Sequence, residues 1–212
     1  MRLFVALRFP DDVCEHLDSL GDALGDEGVG LPGADWARSD QFHLTLRFIG
    51  NPAPLTLHDI DRALREVRAD SFLLDLKGTG HFPLRGEPVN LWVGAGVTTF
   101  SDDSDEGTRG RENNSRLERL RNRIESALTR AGLSPEGRKF HPHVTLANVR
   151  GCEAPHVAHF EIEHSLFRLS GIPIQEFYLC SSELKPGGAV HTVEAIYPLE
   201  GLLAGEEEEG RG

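Results

Sequence analysis

Arg138-Lys139-Phe140-His141-Pro142-His143-Val144-Thr145-Leu146 is the stretch on which the reading of this chain turns. Its last four residues have a twin in the first quarter of the sequence, His43-Leu44-Thr45-Leu46. Both copies read His-x-Thr-Leu among apolar and β-branched residues, the pattern of a strand. Side chains alternate between the faces of a strand, so His43 and Thr45 share one face, as do His143 and Thr145. Leu44, Leu46, Val144 and Leu146 point the other way and can anchor each strand in a core. Each copy thus presents an imidazole and a hydroxyl about 6.5–7 Å apart. Two such strands facing each other would make a four-pronged polar site. It suits a phosphate with a general acid on one side and a general base on the other. A single His-x-Thr in a strand is usually structural; two copies, each led by an aromatic residue (Phe42, Phe140), favour function.

The rest of the composition narrows the class. A chain of 212 residues can bury a real core as one large domain or two small lobes. No apolar run approaches the roughly 20 residues of a membrane helix, and the N-terminal Arg2–Phe9 reads as a strand closed by Pro10, not as a secretory signal. Cys14, Cys152 and Cys180 are scattered and odd in number, which predicts a reducing cytoplasm and no zinc knuckle. The formal net charge of -12 would repel nucleic acid at low salt. Acidic runs at Asp102–Glu106 and Glu206–Glu209 read either as simple solubility or, with lysine only at Lys77, Lys139 and Lys185, as adaptation to a salty, strongly screening cytoplasm, that is, a halophilic protein.

Along the chain, helices are expected from Asp11 to about Leu24, from Leu55 to Ala69, and from Arg116 to Ala131 with Ser115 as its cap. Strands are expected at Arg2–Phe9, Gln41–Ile49, Phe72–Gly78, Val89–Ala95, Phe140–Val149, within Phe160–Leu169, and at Ile174–Ser181 and Val190–Leu199. Gly25–Gly33 lacks the Lys-Ser/Thr ending of a phosphate-binding loop and reads as a connection. Thr79–Pro83 reads as a turn, and Arg150–His159 as an irregular link with room for a short helical turn. The polar stretch 101–114 reads as an acidic mobile insertion, and 201–212 as a flexible acidic tail on a single domain of residues 1–200. The motif strands fall in opposite halves of this order. The economical fold is therefore α+β, a duplicated, bilobal domain with a central cleft between two sheets.

With those residues on the page, the chain resembles the 2H phosphoesterases, in particular the RNA 2′,3′-cyclic phosphodiesterase branch, also called 2′-5′ RNA ligase-like proteins. The likeness is carried by Arg2–Leu7, by Phe42–Gly50, by Gly80-His81-Phe82-Pro83 followed by Leu91-Trp92-Val93-Gly94, by Phe140–Ala147, and by the closing Ser181-Ser182-Glu183-Leu184 with Gly187-Gly188. The resemblance implies two pseudo-symmetric lobes of antiparallel sheet with helices outside. It implies opening of an RNA terminal 2′,3′-cyclic phosphate to a 2′-phosphomonoester without metal or cofactor, with His43 as general acid and His143 as general base. Some members also join RNA ends through a reversible 2′-5′ linkage. RNA ends, tRNA fragments among them, are the expected partners of a cytoplasmic monomer, with no membrane involved. A smaller cyclic nucleotide, or RNA binding without catalysis, are the competing functions.

Thr45 and Thr145 can donate to the non-bridging phosphate oxygens. Relatives often carry Arg five residues after the second motif His. Here that position is Asn148, so Arg150 and Arg47 are the candidate replacements; Arg47, four residues after His43, is expected on the same strand face. His141 reads as a structural neighbour rather than a metal ligand. Phe42, Phe140 and Phe48 are expected in the core.

Overall fold

The computed structural model describes residues 2–22, 31, 33–52, 55–82, 89–97, 109–151, 154–186 and 188–201. Nine strands and four helices follow one another in it. The first half contains β1 (Arg2–Arg8), α1 (Asp11–Asp22), β2 (Ala34–Trp36), a 3-10 turn (Ser39–Gln41), β3 (His43–Gly50) and α2 (Leu57–Leu64). Then come β4 (Phe72–Phe82), β5 (Val89–Val97), α3 (Arg109–Arg130), β6 (His143–Val149), α4 (Ala154–Glu163), β7 (Arg168–Ile174), β8 (Glu176–Lys185) and β9 (Gly188–Pro198).

The strands run in the order β7-β4-β5-β6-β3-β1-β8-β9, with β2 on the end of β6. Every neighbouring pair is antiparallel. The two expected antiparallel halves are present as β7-β4-β5-β6 and β3-β1-β8-β9. They meet edge to edge through the single pair Leu44↔Val144, so the motif strands are neighbours in one curled sheet instead of facing each other from two.

One face of this sheet carries the core. Leu3, Val5 and Leu7 of β1, Leu44 and Leu46 of β3, and Val144 and Leu146 of β6 are all buried there. The helices cover it with apolar stripes: Val13, Leu17 and Leu20 from α1, Ile60 and Leu64 from α2, Leu117, Leu120, Ile124 and Leu128 from α3, Val157 and Phe160 from α4. Thr56 caps α2 in a reciprocal pair with Asp59. Gly132, at φ 109°, lets the chain leave α3 in the left-handed region. Gly80 lies across from Trp92. A Cβ there would stand 2.4 Å from the indole ring, so only glycine lets the two strands close.

Several expected boundaries shift. α3 begins at Arg109, inside the stretch read as an insertion, while residues 101–108 lie outside the described ones. A helix already nucleated adds one hydrogen bond per residue and needs no apolar face to extend. α2 is shorter than its apolar spacing suggested, ending at Leu64. The presumed turn Thr79–Pro83 is the end of β4 as far as Phe82. The presumed link after Arg150 contains the helix α4, and the strand read within Phe160–Leu169 starts only at Arg168. The tail from 202 onward lies outside the described residues.

Candidate active site

The face opposite the helices holds the polar prongs. Because Leu44 pairs with Val144, antiparallel geometry sets His43 across from Thr145 and Thr45 across from His143. The imidazoles occupy opposite corners of a rectangle and the hydroxyls the other two. With ideal strand spacings the two His Cα atoms are about 8 Å apart. All four side chains line one cleft of about 720 Å³.

Each imidazole is held in the same way. His43 Nδ1 lies 2.6 Å from the Gln41 carbonyl, and His143 Nδ1 lies 2.6 Å from the His141 carbonyl. A carbonyl only accepts, so Nδ1 carries the proton and the neutral ring presents an unprotonated Nε2. His141 therefore serves the site through its backbone, in keeping with its reading as a structural neighbour. Phe82 packs edge-on against His143 with ring centres 4.9 Å apart. Phe4 lies 4.9 Å from His43, and His191 of β9 meets His43 edge-on at 5.0 Å. Burial lowers the pKa of His43 to about 4, helped by the charges of His191, Arg8 and His143 and opposed by the Gln41 carbonyl. Burial also depresses His143 and His191. The cleft thus holds neutral imidazoles at neutral pH.

Thr145 Oγ1 accepts from Asn90 Nδ2 at 3.5 Å, which leaves its proton free to point into the cleft. The same amide nitrogen donates to Asn148 Oδ1 at 3.2 Å. Asn148, at the position where relatives often carry Arg, does line the cleft.

The arginines are redistributed. Arg47 is buried away from the cleft, paired with Glu125 at 2.5 Å and Glu136 at 3.3 Å and donating to the Ser134 carbonyl. The reason is a β-bulge. The register of β3 against β1 slips between Thr45 and Arg47, and that of β6 against β5 slips at the equivalent place between Thr145 and Ala147. Each bulge absorbs one residue and inverts the alternation beyond it. Arg47 is buried on the helix side and Ala147 is buried in the core, whereas Phe48 and Asn148 are exposed on the cleft. Phe48 is accordingly 50% exposed instead of part of the core. Phe42 is buried, and Phe140 packs against the core. Arg150 does not line the cleft either; its backbone N–H bonds the Gly33 carbonyl.

In their place Arg2, Arg38 and Arg138 reach the cleft wall from three distant segments. Arg38 is held by Asp40 at 2.8 Å. Arg138 is held by Glu136 at 2.8 Å and stands 5.1 Å over the Phe48 ring. These arginines, His191 and Asn90 escaped the reading of the sequence. The one local signal was a polar Asn90 interrupting the apolar run of β5. Among the described residues no three His, Cys, Asp or Glu side chains cluster as a metal site, and no helix is long and apolar enough to cross a membrane.

The chain is similar to known proteins in sequence and in fold. The family model described as the 2′-5′ RNA ligase superfamily matches residues 9–179, a span that includes both motifs. A protein of Aeropyrum pernix named RNA 2′,3′-cyclic phosphodiesterase is 35% identical over 64% of this chain and 67% of its own length. One of the same name from Thermus thermophilus is 33% identical over 100% of this chain and 97% of its own. Among solved structures, the Thermus thermophilus protein TT0787 aligns with a TM-score of 0.67 at 24% identity, over 93% of this chain and 97% of that one. E. coli LigT, crystallised with 3′-AMP, aligns at 0.61 and 23% identity, with the same coverages of 93% and 97%.

Proposed function

The chain belongs to the 2′-5′ RNA ligase superfamily, and on that premise we propose that it opens RNA terminal 2′,3′-cyclic phosphates to 2′-phosphomonoesters by two-histidine acid–base catalysis. The supporting observation is the quartet on β3 and β6: two imidazoles, each with Nδ1 tied to the carbonyl two residues before it and Nε2 turned away from that bond, each opposite a threonine of the other strand. In-line displacement needs a base and an acid on opposite sides of phosphorus, and diagonal imidazoles stand on opposite sides of a phosphate seated between them.

His143 is the base. It is the less deeply buried of the two and stands nearer bulk water. Its Nε2 takes a proton from water as the water oxygen bonds to phosphorus. The P–O3′ bond breaks, and O3′ takes the proton from His43 Nε2. Burial makes the His43 imidazolium a strong acid, and the anionic substrate holds the proton there until O3′ leaves. Thr45 and Thr145 donate to the non-bridging oxygens. Arg2 supplies positive charge that Asn148 does not, and Arg38 and Arg138, each paired with a carboxylate, add N–H donors to the cleft wall. The same step with an RNA 5′-hydroxyl in place of water would form a 2′-5′ linkage, and its reverse, in which O3′ attacks phosphorus and the 5′-oxygen leaves, would exchange the acid and base roles. No step calls for a metal or an organic cofactor. The substrate class includes tRNA fragments with cyclic ends, and the working unit is a cytoplasmic monomer.

The test is a short RNA ending in a 2′,3′-cyclic phosphate, incubated with EDTA at low and at molar salt. Conversion to the 2′-phosphate is expected, and His43→Ala or His143→Ala should slow it roughly 10²–10⁴-fold with the fold intact. Full activity in either variant, or dependence on added metal, would refute the mechanism.

A further inference from the structure

A second cavity, of about 260 Å³, opens beside Thr45 and His143 on the side away from His43. We infer that it is a subsite for the nucleotide that precedes the cyclic-phosphate terminus, an inference that rests on the RNA-end reading above. Three features carry it.

The walls come first. Phe48, Phe82 and Phe140 line the cavity, and ring faces in a groove are what nucleobases stack on whatever their sequence. The second feature is charge. Arg121 and Lys139 also line it, and no carboxylate among the described residues pairs with either. Arg121 stands 5.3 Å over the Phe140 ring, and its Nε is buried without a hydrogen-bond partner. Its Nη1 donates weakly to Asn122 at 3.4 Å. The other Arg and Glu side chains on its lining are already committed: Arg47 to Glu125 at 2.5 Å and Glu136 at 3.3 Å, and Arg138 to Glu136 at 2.8 Å. Two cations without a carboxylate partner among the described residues, on a chain of net charge -12, mark a place for an anion. A purely apolar ligand would have no use for them, and inorganic phosphate would have no use for the aromatic walls. A nucleotide uses both.

The third feature is continuity. The cavity shares Thr45 and His143 with the phosphate site, whereas the larger cleft holds all four prongs and has room for the terminal nucleoside. An RNA strand whose last phosphate sits on the quartet must leave it on some side. This side offers stacking for the next base and cations for the connecting phosphodiester.

The experiment compares kcat/KM for a dinucleotide ending in a 2′,3′-cyclic phosphate with that for the mononucleoside 2′,3′-cyclic phosphate. Wild type, Arg121→Gln and Lys139→Gln are assayed. One stacked base and one phosphate contact predict a dinucleotide preference of roughly tenfold or more. In each variant the ratio should fall at least about threefold toward one. Lys139 is exposed, so its variant reports on the cavity even if Arg121→Gln folds poorly. A wild-type ratio near one, or a preference untouched by both substitutions, would overturn the subsite while leaving the cyclic-phosphate function standing. Failure of the wild type on both substrates would overturn the function, and the subsite with it.

Discussion

An anion entering the cleft should bring a proton with it, and the structure sets the size of the effect. Burial holds the His43 pKa at about 4. At pH 7 a proton on that ring therefore costs about 4 kcal/mol before any anion binds, taking 1.36 kcal/mol per pH unit. An imidazolium about 4 Å from a unit negative charge recovers about 4 kcal/mol at an effective dielectric of 20. The two magnitudes are close, so a tetrahedral dianion on the quartet should draw the pair's apparent pKa toward neutrality. The perturbation is inorganic sulfate, which does not itself titrate between pH 5 and 7. The assay is calorimetric binding in buffers of differing ionisation enthalpy, which counts protons taken up. Uptake should approach one proton per sulfate near pH 6 and fall to about half near pH 4, where half of the free His43 already carries its own proton. His43→Gln should remove most of it. Binding without uptake between pH 5.5 and 7, or uptake unchanged in both His43→Gln and His143→Gln, would refute the account of how the acid is loaded.

Arg47→Met should destabilise the fold by about 3 kcal/mol, because Glu125 then stays largely buried without its counter-charge while Glu136 keeps only Arg138. Urea unfolding measures the loss, and an unchanged midpoint would show that the pairs contribute nothing. Stability should fall as pH drops from about 6.5 to about 4. The unfolded chain takes up protons on its histidines before the folded one does, so the contribution present above 6.5 is lost on acidification, about 3 kcal/mol for His43 alone. His43→Gln should flatten that slope in urea titrations at pH 7 and 4.5, and an equal slope in variant and wild type would count against it. Asn148→Arg places a cation on the cleft wall, so it should lower KM for a cyclic-phosphate RNA several-fold at low salt; a KM that does not move would indicate that Arg2, Arg38 and Arg138 already saturate this need.

Much of the fold was legible because much of it is local. The three apolar-spaced helices, the strand character of both motifs and the closing hairpin each follow from periodicity over ten or so residues. The error at α4 is of the same kind. The residues after Arg150 suggest no more than a short helical turn, yet Val157 and Phe160, one helical turn apart, are buried on one face of a full helix and Ile162 is 74% exposed. A short apolar run cannot be assigned by period alone. The site was legible as far as its four prongs, since strand alternation puts His and Thr of each copy on one face whatever lies around them.

Beyond the prongs, the sequence by itself determined the chemistry available, two imidazoles and two hydroxyls in repeated strands, and the tertiary structure decided how that chemistry is surrounded. The bulges after Thr45 and Thr145 exist only in the pairing of each strand with its neighbour. They send Arg47 to the helices and bring Phe48 and Asn148 to the cleft. Arg2, Arg38, Arg138 and His191 are far apart along the chain, and only the order of strands gathers them. The depressed pKa of His43 has the same origin, since desolvation depends on what packs around the ring. Local pattern encodes which way a side chain points within its own strand, whereas register, charge environment and burial belong to pairs of segments and appear only when those segments meet.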